Sequence, residues 1–325
     1  MIAWARAAFR VQRFEVVTAI VVVAILAISA VVVWYRLGAV GVPAECWANF
    51  ATTGYADTPG PCGDRLFAFG LINGDEAGKI MAAMAVVPFL LGFVLGVPLV
   101  AREIEGGSAP LVWSLARSRR RWLAGRLLPV LALLVILSAV LWAVSDLVWS
   151  AREPWQPIPN FGDVGLHGSV ILGKAVAALA VGLIVGAVVG RTLPAFLVTL
   201  AAGAVIVSLA GILMSAWFMT EGERHAIPTD VSGYTESIFP GGTSMGTGWV
   251  TPSGAIVYSQ EEMAVFAPPD VDLETWLSTE APLVAVGVPG SVYPTWSLIE
   301  TVAFGAAGLV GLLIAFPIVE RRRPM

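Results

Sequence analysis

The sequence predicts an all-α polytopic membrane protein with six transmembrane helices. Of its 325 residues, 57% are hydrophobic and only 13% are charged, and the mean hydropathy is +0.82. Such a composition is typical of a chain embedded mostly in lipid, and a water-soluble core does not explain it. Six apolar runs are long enough to cross about 30 Å of hydrocarbon at about 1.5 Å per residue. These runs cover approximately residues 16–35, 80–100, 123–145, 170–190, 193–219 and 298–319.

The distribution of basic residues predicts the orientation of these spans. With both termini in the cytosol, thirteen basic residues fall inside and six outside, and the cytosolic side of a membrane is the side that retains positive charge. Six of the nineteen basic residues lie in the single loop 101–128, between the second and third spans. We therefore predict a multi-pass plasma-membrane protein with both termini and this loop in the cytosol.

Arginine outnumbers lysine 17 to 2 in this chain. We interpret the excess as coding bias in a GC-rich bacterium. Because the arginines are dispersed among the loops that flank the membrane, no nucleic-acid partner is predicted.

Residues 1–15 precede the first span and are predicted to form a helix in the plane of the lipid headgroups. Arg6, Arg10 and Arg13 fall roughly on one helical stripe, and the apolar residues set against them are Ile2, Trp4, Phe9 and Phe14. A cleaved signal peptide is the alternative. The apolar run from Val16 to Tyr35 is longer than a usual signal core, and no small-residue cleavage site closes it, so we favour the retained helix.

Residues 36–79 form the first predicted outer loop and contain both cysteines, Cys46 and Cys62. Two cysteines that share one loop on the oxidising side of a membrane favour a disulfide. Spacing alone does not show that their Cβ atoms approach each other, so two unpaired thiols remain the alternative.

Two spans carry glycines at the spacing that allows close helix packing. Gly92 and Gly96 lie four residues apart in the second span, and Gly182, Gly186 and Gly190 continue the same spacing through the fourth. Small residues at this interval let two helix backbones approach within the membrane. The second span also contains two prolines, so its inner half should kink or pack closely against a neighbour.

The longest segment without an apolar span is residues 220–297, which we predict to lie outside the cell. It contains ten acidic residues and one basic residue, Arg224. Short strand-like runs at 255–258 and 283–288 alternate with glycine and proline clusters, which favours a small folded cap over a free linker. Its negative charge would attract cationic molecules or simply aid solubility.

The cytosolic loop between the second and third spans is predicted to contain a short helix. Ser108 is suited to cap its start, and Leu111, Val112 and Leu115 then fall on one face, beside Trp113. An apolar face outside the bilayer needs a cover. Lipid headgroups, the ends of the protein's own helices and a separate cytosolic partner are the three alternatives.

Motifs for chemistry within this chain are missing or incomplete. Gly168 to Lys174 matches the spacing of a phosphate-binding loop, but Ala175 offers no hydroxyl for Mg²⁺ and the intervening residues are apolar. His167 and His225 stand alone in outer segments, without a cysteine–histidine metal pattern. No His-Glu-x-x-His motif is present. We therefore predict no catalytic residue, cofactor or metal site.

The order of these parts resembles the type-2 ABC exporter permease, the membrane subunit of an ATP-binding-cassette transporter. The resemblance covers nearly the whole chain, except residues 220–290, and is nearest to the actinobacterial branch of that family. Its sharpest motif is Arg102-Glu103-x-Glu105-x-Gly107, followed by Trp113, Arg119-x-x-Trp122 and Arg126. Weaker matches are Arg191 to Ala195, Tyr293-Pro294, Trp296 and Glu300.

The resemblance implies a single permease domain over residues 1–325 that exports an unknown substrate. It also implies that residues 108–116 form a coupling helix, which docks on a separate ABC ATPase. That partner would act as two copies and would carry the ATP and magnesium. The permease would pair with a second copy of itself or with a paralogue. The residues that the resemblance assigns to the ATPase contact are Arg102, Glu103, Glu105, Gly107, Ser108, Leu111, Val112, Trp113, Leu115 and Arg117.

A secondary transporter is the main alternative function. Such a protein would be expected to place ionisable groups or broken helices near the middle of the bilayer. Asp146, Lys174 and Glu300 instead cluster toward the ends of their spans, so we favour the ABC permease. A membrane-embedded enzyme is a weaker alternative, because no intramembrane pair of carboxylates supports it.

Overall fold

The computed structural model describes most of the chain and divides it into two compact units. The described residues are 12–47, 60–115, 118–152, 161, 164–221, 223–226, 242–269, 271–273, 276–277 and 283–322. The first unit, which we call the membrane unit, contains residues 1–155, 165–206 and 297–325. The second, which we call the outer unit after the predicted location of residues 220–297, contains residues 156–164 and 207–296.

Within the described residues, six helices are long and apolar enough to cross a membrane, which confirms the predicted all-α polytopic fold. They are Arg13–Ala39, Pro61–Glu105, Arg119–Arg152, Val170–Val189, Thr192–Leu213 and Gly290–Arg321. In chain order the helices are α1 (Arg13–Ala39), α2 (Pro61–Leu71), α3 (Gly78–Gly96), α4 (Pro98–Glu105), α5 (Ala109–Leu115), α6 (Arg119–Arg152), α7 (Val170–Val189), α8 (Thr192–Glu221), α9 (Gln260–Ala264) and α10 (Tyr293–Arg321).

The second span is much longer than the sequence predicted. The predicted loop 36–79 is wrong in its second half, because α2, a π-helical segment at Ile72–Ala77, α3 and α4 form one nearly continuous helix. The π-helical segment, INGDEA, is polar, so a hydropathy window does not include it in a span. Its Glu76 forms an ion pair with Arg36 of α1 at 2.5 Å. This extension therefore ties the second span to the first.

The only break near the end of this helix lies between α3 and α4. Val97 keeps helical torsion angles, but Pro98 has no N–H to donate to the preceding turn. The next backbone bond, from Ala101 N to Val97 O, is correspondingly long at 3.4 Å. The predicted irregularity in the inner half of this span is thus a local loosening of the helix.

Helix α7 is the central helix of the membrane unit. Of the most apolar stretch of α7, 72% is buried within the protein, whereas the corresponding share for α8 is 11%. A Cβ built on Gly92 of α3 would lie 2.5 Å from the Cβ of Ala178, and one on Gly96 would lie 2.6 Å from the carbonyl oxygen of Leu179. A Cβ on Gly186 of α7 would lie 2.5 Å from the carbonyl oxygen of Val97. Backbone therefore contacts backbone along the α3–α7 crossing, with no room for a side chain.

The other side of α7 contacts α10 through glycines that the sequence analysis did not single out. A Cβ on Gly308 would lie 2.8 Å from the backbone nitrogen of Ala177, and one on Gly311 would lie 2.9 Å from the Cβ of Ala180. A Cβ on Gly173 of α7 would likewise lie 3.0 Å from the carbonyl oxygen of Thr301 in α10. Helix α7 is thus packed tightly on two sides.

Gly182 also faces α3, whereas Gly190 lies at the end of α7 and packs closely against Ile104 of α4 and Arg322. A Cβ on Gly182 would lie 3.2 Å from the nitrogen of Val97, in the same crossing as Gly186. Gly190 ends α7 in the left-handed conformation, with φ +71°, and its N–H donates to the carbonyl of Gly186. Glycine suits that position because it has no Cβ to oppose a positive φ.

Two other predictions concern the first span and its outer end. Most of the predicted in-plane helix 1–15 lies outside the described residues, and α1 begins at Arg13. Cys46 and Cys62 form a disulfide with their Cα atoms 5.4 Å apart, joining the segment after α1 to the start of α2.

The outer unit contains a four-stranded antiparallel sheet in the order β1-β4-β2-β3. Its strands are β1 (Glu223–Ala226), β2 (Thr243–Val250), β3 (Ile256–Val257) and β4 (Leu283–Val288). The predicted runs at 255–258 and 283–288 correspond to β3 and β4. Met263, Trp276 and Leu277 form a small apolar core, and Val288 packs with Phe161 and Tyr293 in another. The segment 220–297 therefore contains a folded cap.

Candidate functional site

The candidate site is the end of the membrane unit that carries Arg119 and Arg322, which we call the basic end. The seven-residue helix α5 lies there, between α4 and α6. Gly107 precedes it with φ +66°, a conformation that favours glycine and lets the chain turn sharply. The hydroxyl of Ser108 donates to the carboxylate of Glu103, so the start of α5 is tied to α4.

The two sides of α5 have different environments. The side chains of Leu111 and Leu115, four residues apart on one face, are 64% and 79% exposed. Ala109 and Trp113 on the other face are buried, and Val112 packs partly against the main apolar core. The predicted single face of Leu111, Val112 and Leu115 is therefore divided, because the chain's own helices cover Val112 and Trp113.

Trp113 belongs to a stack in which two rings contact each other and each ring is covered by one guanidinium group. Its ring meets that of Trp122 edge-on, with the centroids 6.0 Å apart. The guanidinium of Arg119 lies 4.6 Å above the ring of Trp113, and that of Arg126 lies 5.0 Å from the ring of Trp122. Cation–π contacts of this kind stabilise a partly desolvated guanidinium. The stack holds α5 against the start of α6.

Glu103 and Arg126 form an ion pair beneath this stack. Their side chains are 8% and 12% exposed, and Arg126 Nη2 lies 2.5 Å from Glu103 Oε1. Since a buried carboxylate needs its charge partner, this pair is part of the internal packing of the bundle. Glu103 and Trp113, which the family resemblance placed at the partner contact, have most of their surface covered by their own chain, and we reassign both to holding α5 in place.

The remaining charged residues of α4 connect it to other spans. Arg102 Nη1 donates to Glu15 of α1 at 3.0 Å. Glu105 accepts hydrogen bonds from the backbone N–H and the hydroxyl of Thr192, at 2.9 and 2.6 Å. Thr192 is the first residue of α8, where free N–H groups favour a carboxylate. The motif that carries the family resemblance thus links α4 to three other spans.

The C-terminal end of α10 is bound at the same place. Arg119 Nη1 donates to the carbonyl oxygens of Glu320 and Arg322, at 2.8 and 2.7 Å. Arg120 forms an ion pair with the Glu320 carboxylate at 2.6 Å, and Arg322 donates to the carbonyl of Val188 at 2.6 Å. The ends of α7 and α10 are therefore joined through arginines.

The predicted contact residues separate into three groups. Arg102, Glu105, Gly107, Leu111 and Leu115 are exposed. Glu103 and Trp113 are buried, whereas Ser108 and Val112 are partly buried. Arg117 lies outside the described residues. Only Leu111 and Leu115 among them present large apolar side chains to the surface.

The opposite end of the membrane unit contains a buried ion pair that the sequence analysis did not anticipate. Lys174 Nζ of α7 lies 3.1 Å from Glu300 Oε1 of α10, and the side chains are 10% and 14% exposed. Lys174 also donates to the carbonyl of Gly165 at 2.9 Å. The two residues are 126 positions apart in the chain. Only their common position near one end of two spans could have suggested the pairing.

His167, which the sequence analysis placed in an outer segment without a metal partner, is also buried at this end. Its ring stacks on that of Trp149, with the centroids 4.7 Å apart. Its Nδ1 lies 3.3 Å from Asp146 Oδ1, which also accepts the N–H of Gly168. These contacts hold the segment before α7 against the end of α6.

The comparisons with known proteins give one match. No curated protein and no solved structure matches the chain. The model of the family described as "ABC-2 membrane transporter related" matches residues 16–215, which is more than half of the chain and extends from α1 into α8. The matched residues include the whole of α4, α5 and the stack that holds them. Together with the six membrane-spanning helices, this match shows that the chain is a multi-pass permease of the ABC-2 membrane transporter related family.

Proposed function

We propose that this chain is the permease subunit of an ATP-driven exporter and that it docks a separate ATPase through one face of α5. The observation that carries the proposal is the exposure of Leu111 and Leu115, 64% and 79%, at the basic end. The face that includes them and the exposed neighbours Pro110 and Ser114 is called the docking face below.

The chemistry of the docking face suits a protein partner. Two aliphatic side chains at positions i and i+4 form a compact apolar contact on a helix. Exposed arginines at 120 and 121 lie close by in the chain and supply a charged rim. Protein interfaces commonly combine a small apolar centre with a polar rim, and a few central residues contribute most of the binding free energy.

The basic residues support an orientation in which the basic end is cytosolic. An ATPase needs that location because ATP is present in the cytosol. Under this orientation thirteen basic residues lie inside and six outside, and both termini are cytosolic. The cap in the outer unit would then lie outside the plasma membrane.

Under this proposal the permease itself carries out no hydrolysis. Two ATPase copies would hold ATP and magnesium, and their closure would move the α5 helices of two permease chains, either two copies of this chain or this chain and a paralogue. The export direction and the actinobacterial branch both rest on the family resemblance. The cargo is a substrate of unassigned class that crosses between the spans.

A secondary transporter is the second candidate, and one observation favours it. Lys174 and Glu300 form an ion pair that is largely buried between two spans. Ionisable groups inside membrane proteins commonly mark ion or proton pathways. Both residues lie toward one end of their helices, however, so we retain the ABC exporter as the better-supported function.

A pair of substitutions on α5 tests the docking face. Leu111→Ser with Leu115→Ser should leave insertion intact, because neither side chain is covered by the bundle. Each buried aliphatic side chain contributes at most about 1.5–3 kcal/mol, so affinity for the ATPase should fall by up to roughly two to four orders of magnitude. Co-purification of the ATPase from native membranes, quantified by mass spectrometry, measures the loss.

The matched control for that experiment is Val265→Ser. Val265 is 81% exposed and lies in the outer unit, so its replacement removes a similar apolar surface away from α5. The control should retain the ATPase. Full ATPase association in the double variant would show that α5 is not the docking element.

Cysteine labelling tests the orientation separately. In a background without Cys46 and Cys62, Ser259→Cys in the outer unit should react with an impermeant maleimide in intact cells. Ser118→Cys at the basic end should react only after the cells are opened. The reverse labelling pattern would place the basic end outside and would remove α5 from the reach of an ATPase.

A further inference from the structure

We propose that Arg119 is a positioning residue that transmits movement of α5 directly to the last span, α10, and through it to α7. The inference rests on the proposed function, because it concerns what happens after an ATPase moves α5. Along the chain, α5 is connected only to α4 and α6. Arg119 would add a non-covalent connection to two further helices.

The first contact in this connection is between α5 and Arg119. Trp113 is the large side chain on the covered face of α5, and it is only 7% exposed. The guanidinium of Arg119 lies 4.6 Å from the centre of its ring. A seven-residue helix is about two turns long, so it moves as one piece and carries Trp113 with it. Any displacement of α5 therefore acts on the guanidinium of Arg119.

The second contact is between Arg119 and α10. The same guanidinium donates to the carbonyl oxygens of Glu320 and Arg322, at 2.8 and 2.7 Å. The last carbonyls of a helix have no partner within the helix, and the negative end of the helix dipole lies there. A guanidinium is always protonated and offers several donors in a fixed geometry, so it can bind two carbonyls while stacking on a ring.

The third contact is between the end of α10 and the end of α7. Arg322 Nη1 donates to the carbonyl oxygen of Val188 at 2.6 Å. A Cβ on Gly190 would lie 2.4 Å from Arg322 Nη2, so the glycine that ends α7 also leaves the space that the arginine occupies. Because Gly308 and Gly311 pack α10 closely on α7, a shift of the α10 end is carried along both helices.

The neighbouring Arg120 provides a contrast. It binds the carboxylate of Glu320 at 2.6 Å, but the two side chains are 65% and 46% exposed, and no ring contact is described for Arg120. Exposed ion pairs are screened by water and contribute little. Arg120 therefore contacts the same helix end without forming the connection to α5, which makes it a matched control.

Hydrogen exchange on the purified permease, in nanodiscs and without any ATPase, tests the connection itself. Arg119→Gln should speed amide exchange by about tenfold both in α5 (109–115), where the cation–π contact with Trp113 is lost, and at the end of α10 (318–322), where two charge-assisted hydrogen bonds are lost. Arg119→Lys should give an intermediate change, since lysine can donate to carbonyls but stacks poorly. Arg120→Gln should change neither segment. Faster exchange confined to the start of α6 would overturn the proposal.

A second measurement tests the role of the connection in the complex. Arg321→Cys places a thiol at the end of α10, and its labelling rate by maleimide is measured in opened membranes with and without a non-hydrolysable ATP analogue. The analogue should change this rate in the otherwise unaltered complex, and Arg119→Gln should abolish the change while ATPase co-purification is retained. If the change persists in Arg119→Gln, the connection does not transmit movement.

The two measurements separate the inference from the proposed function. If no ATPase co-purifies with the unaltered chain, the proposed function fails, whereas the exchange result still shows whether α5 and α10 are linked. If the ATPase does co-purify and the Arg119→Gln exchange pattern equals that of Arg120→Gln, the link is absent even though the function stands.

Discussion

The two ends of the membrane unit are held together in different ways. At the basic end, arginines bind backbone carbonyls and exposed carboxylates at the ends of several helices. At the opposite end, a disulfide joins Cys46 to Cys62 and a largely buried ion pair joins Lys174 to Glu300. Hydrogen bonds to carbonyls can shift from one acceptor to another at little cost, whereas a covalent bond and a desolvated ion pair cannot. The basic end also contains a desolvated ion pair, Glu103–Arg126, so the part of it that can rearrange is the end of α10, which is held there by hydrogen bonds and an exposed ion pair.

The largest difference between the two ends should appear when the buried ion pair is broken. Lys174→Met leaves the Glu300 carboxylate in an apolar environment without its partner, which should lower the free energy of unfolding by about 3–5 kcal/mol. Denaturant titration of the purified permease, followed by the loss of helical circular dichroism, measures this change. We expect Lys174→Met combined with Glu300→Leu to recover most of the loss, because no uncompensated charge then remains. A single variant as stable as the unaltered chain would mean that the pair is solvated.

Removing the disulfide should have the next largest effect. Cys46→Ser with Cys62→Ser frees a loop with a sequence separation of 16, for which chain-entropy arguments give about 3 kcal/mol. The same denaturant titration measures the loss, and reduction of the unaltered protein should reproduce it. Peptide mapping without reductant provides the direct check. Two free thiols in protein from native membranes would show that the disulfide does not form and does not hold this end together.

The smallest effect should follow a change at the basic end. Arg120→Gln removes one exposed ion pair, with side chains 65% and 46% exposed, and should cost less than about 1 kcal/mol. Increasing the salt concentration should reduce even this difference, since exposed charges are screened. A cost as large as that of Lys174→Met would show that the two ends do not differ in the way described.

Sequence patterns predicted most of the fold because they report local properties. Apolar runs located the spans, and the small-residue spacing of Gly92, Gly96, Gly182 and Gly186 located the α3–α7 crossing. The extension of the second span was missed because the π-helical segment is polar and is stabilised by distant residues, as in the Glu76–Arg36 ion pair.

The candidate site was predicted less completely, because its contacts are formed between distant parts of the chain. A helical projection of α5 places Leu111 and Leu115 together, and both are exposed. It does not show that Trp122 and Arg119 cover Trp113, or that Glu103 pairs with Arg126. The family resemblance assigns the charged residues Arg102, Glu103 and Glu105, next to α5, to the contact with the ATPase. In the structure several of them bind other spans of the same chain.

The glycine contacts along α7 also restrict how a passage for cargo could form. Where a Cβ would come within 2.6 Å of a backbone oxygen, as at Gly96 and Gly186, the two helices share a surface with no side chains that could rotate aside. Separating them would lose close contacts along the whole crossing without any compensating rearrangement. The helices α3, α7 and α10 should therefore travel as one rigid block. A passage would have to open at the periphery of that block, for example along α8, which has only 11% of its most apolar stretch buried and is joined to α4 through Glu105 and Thr192.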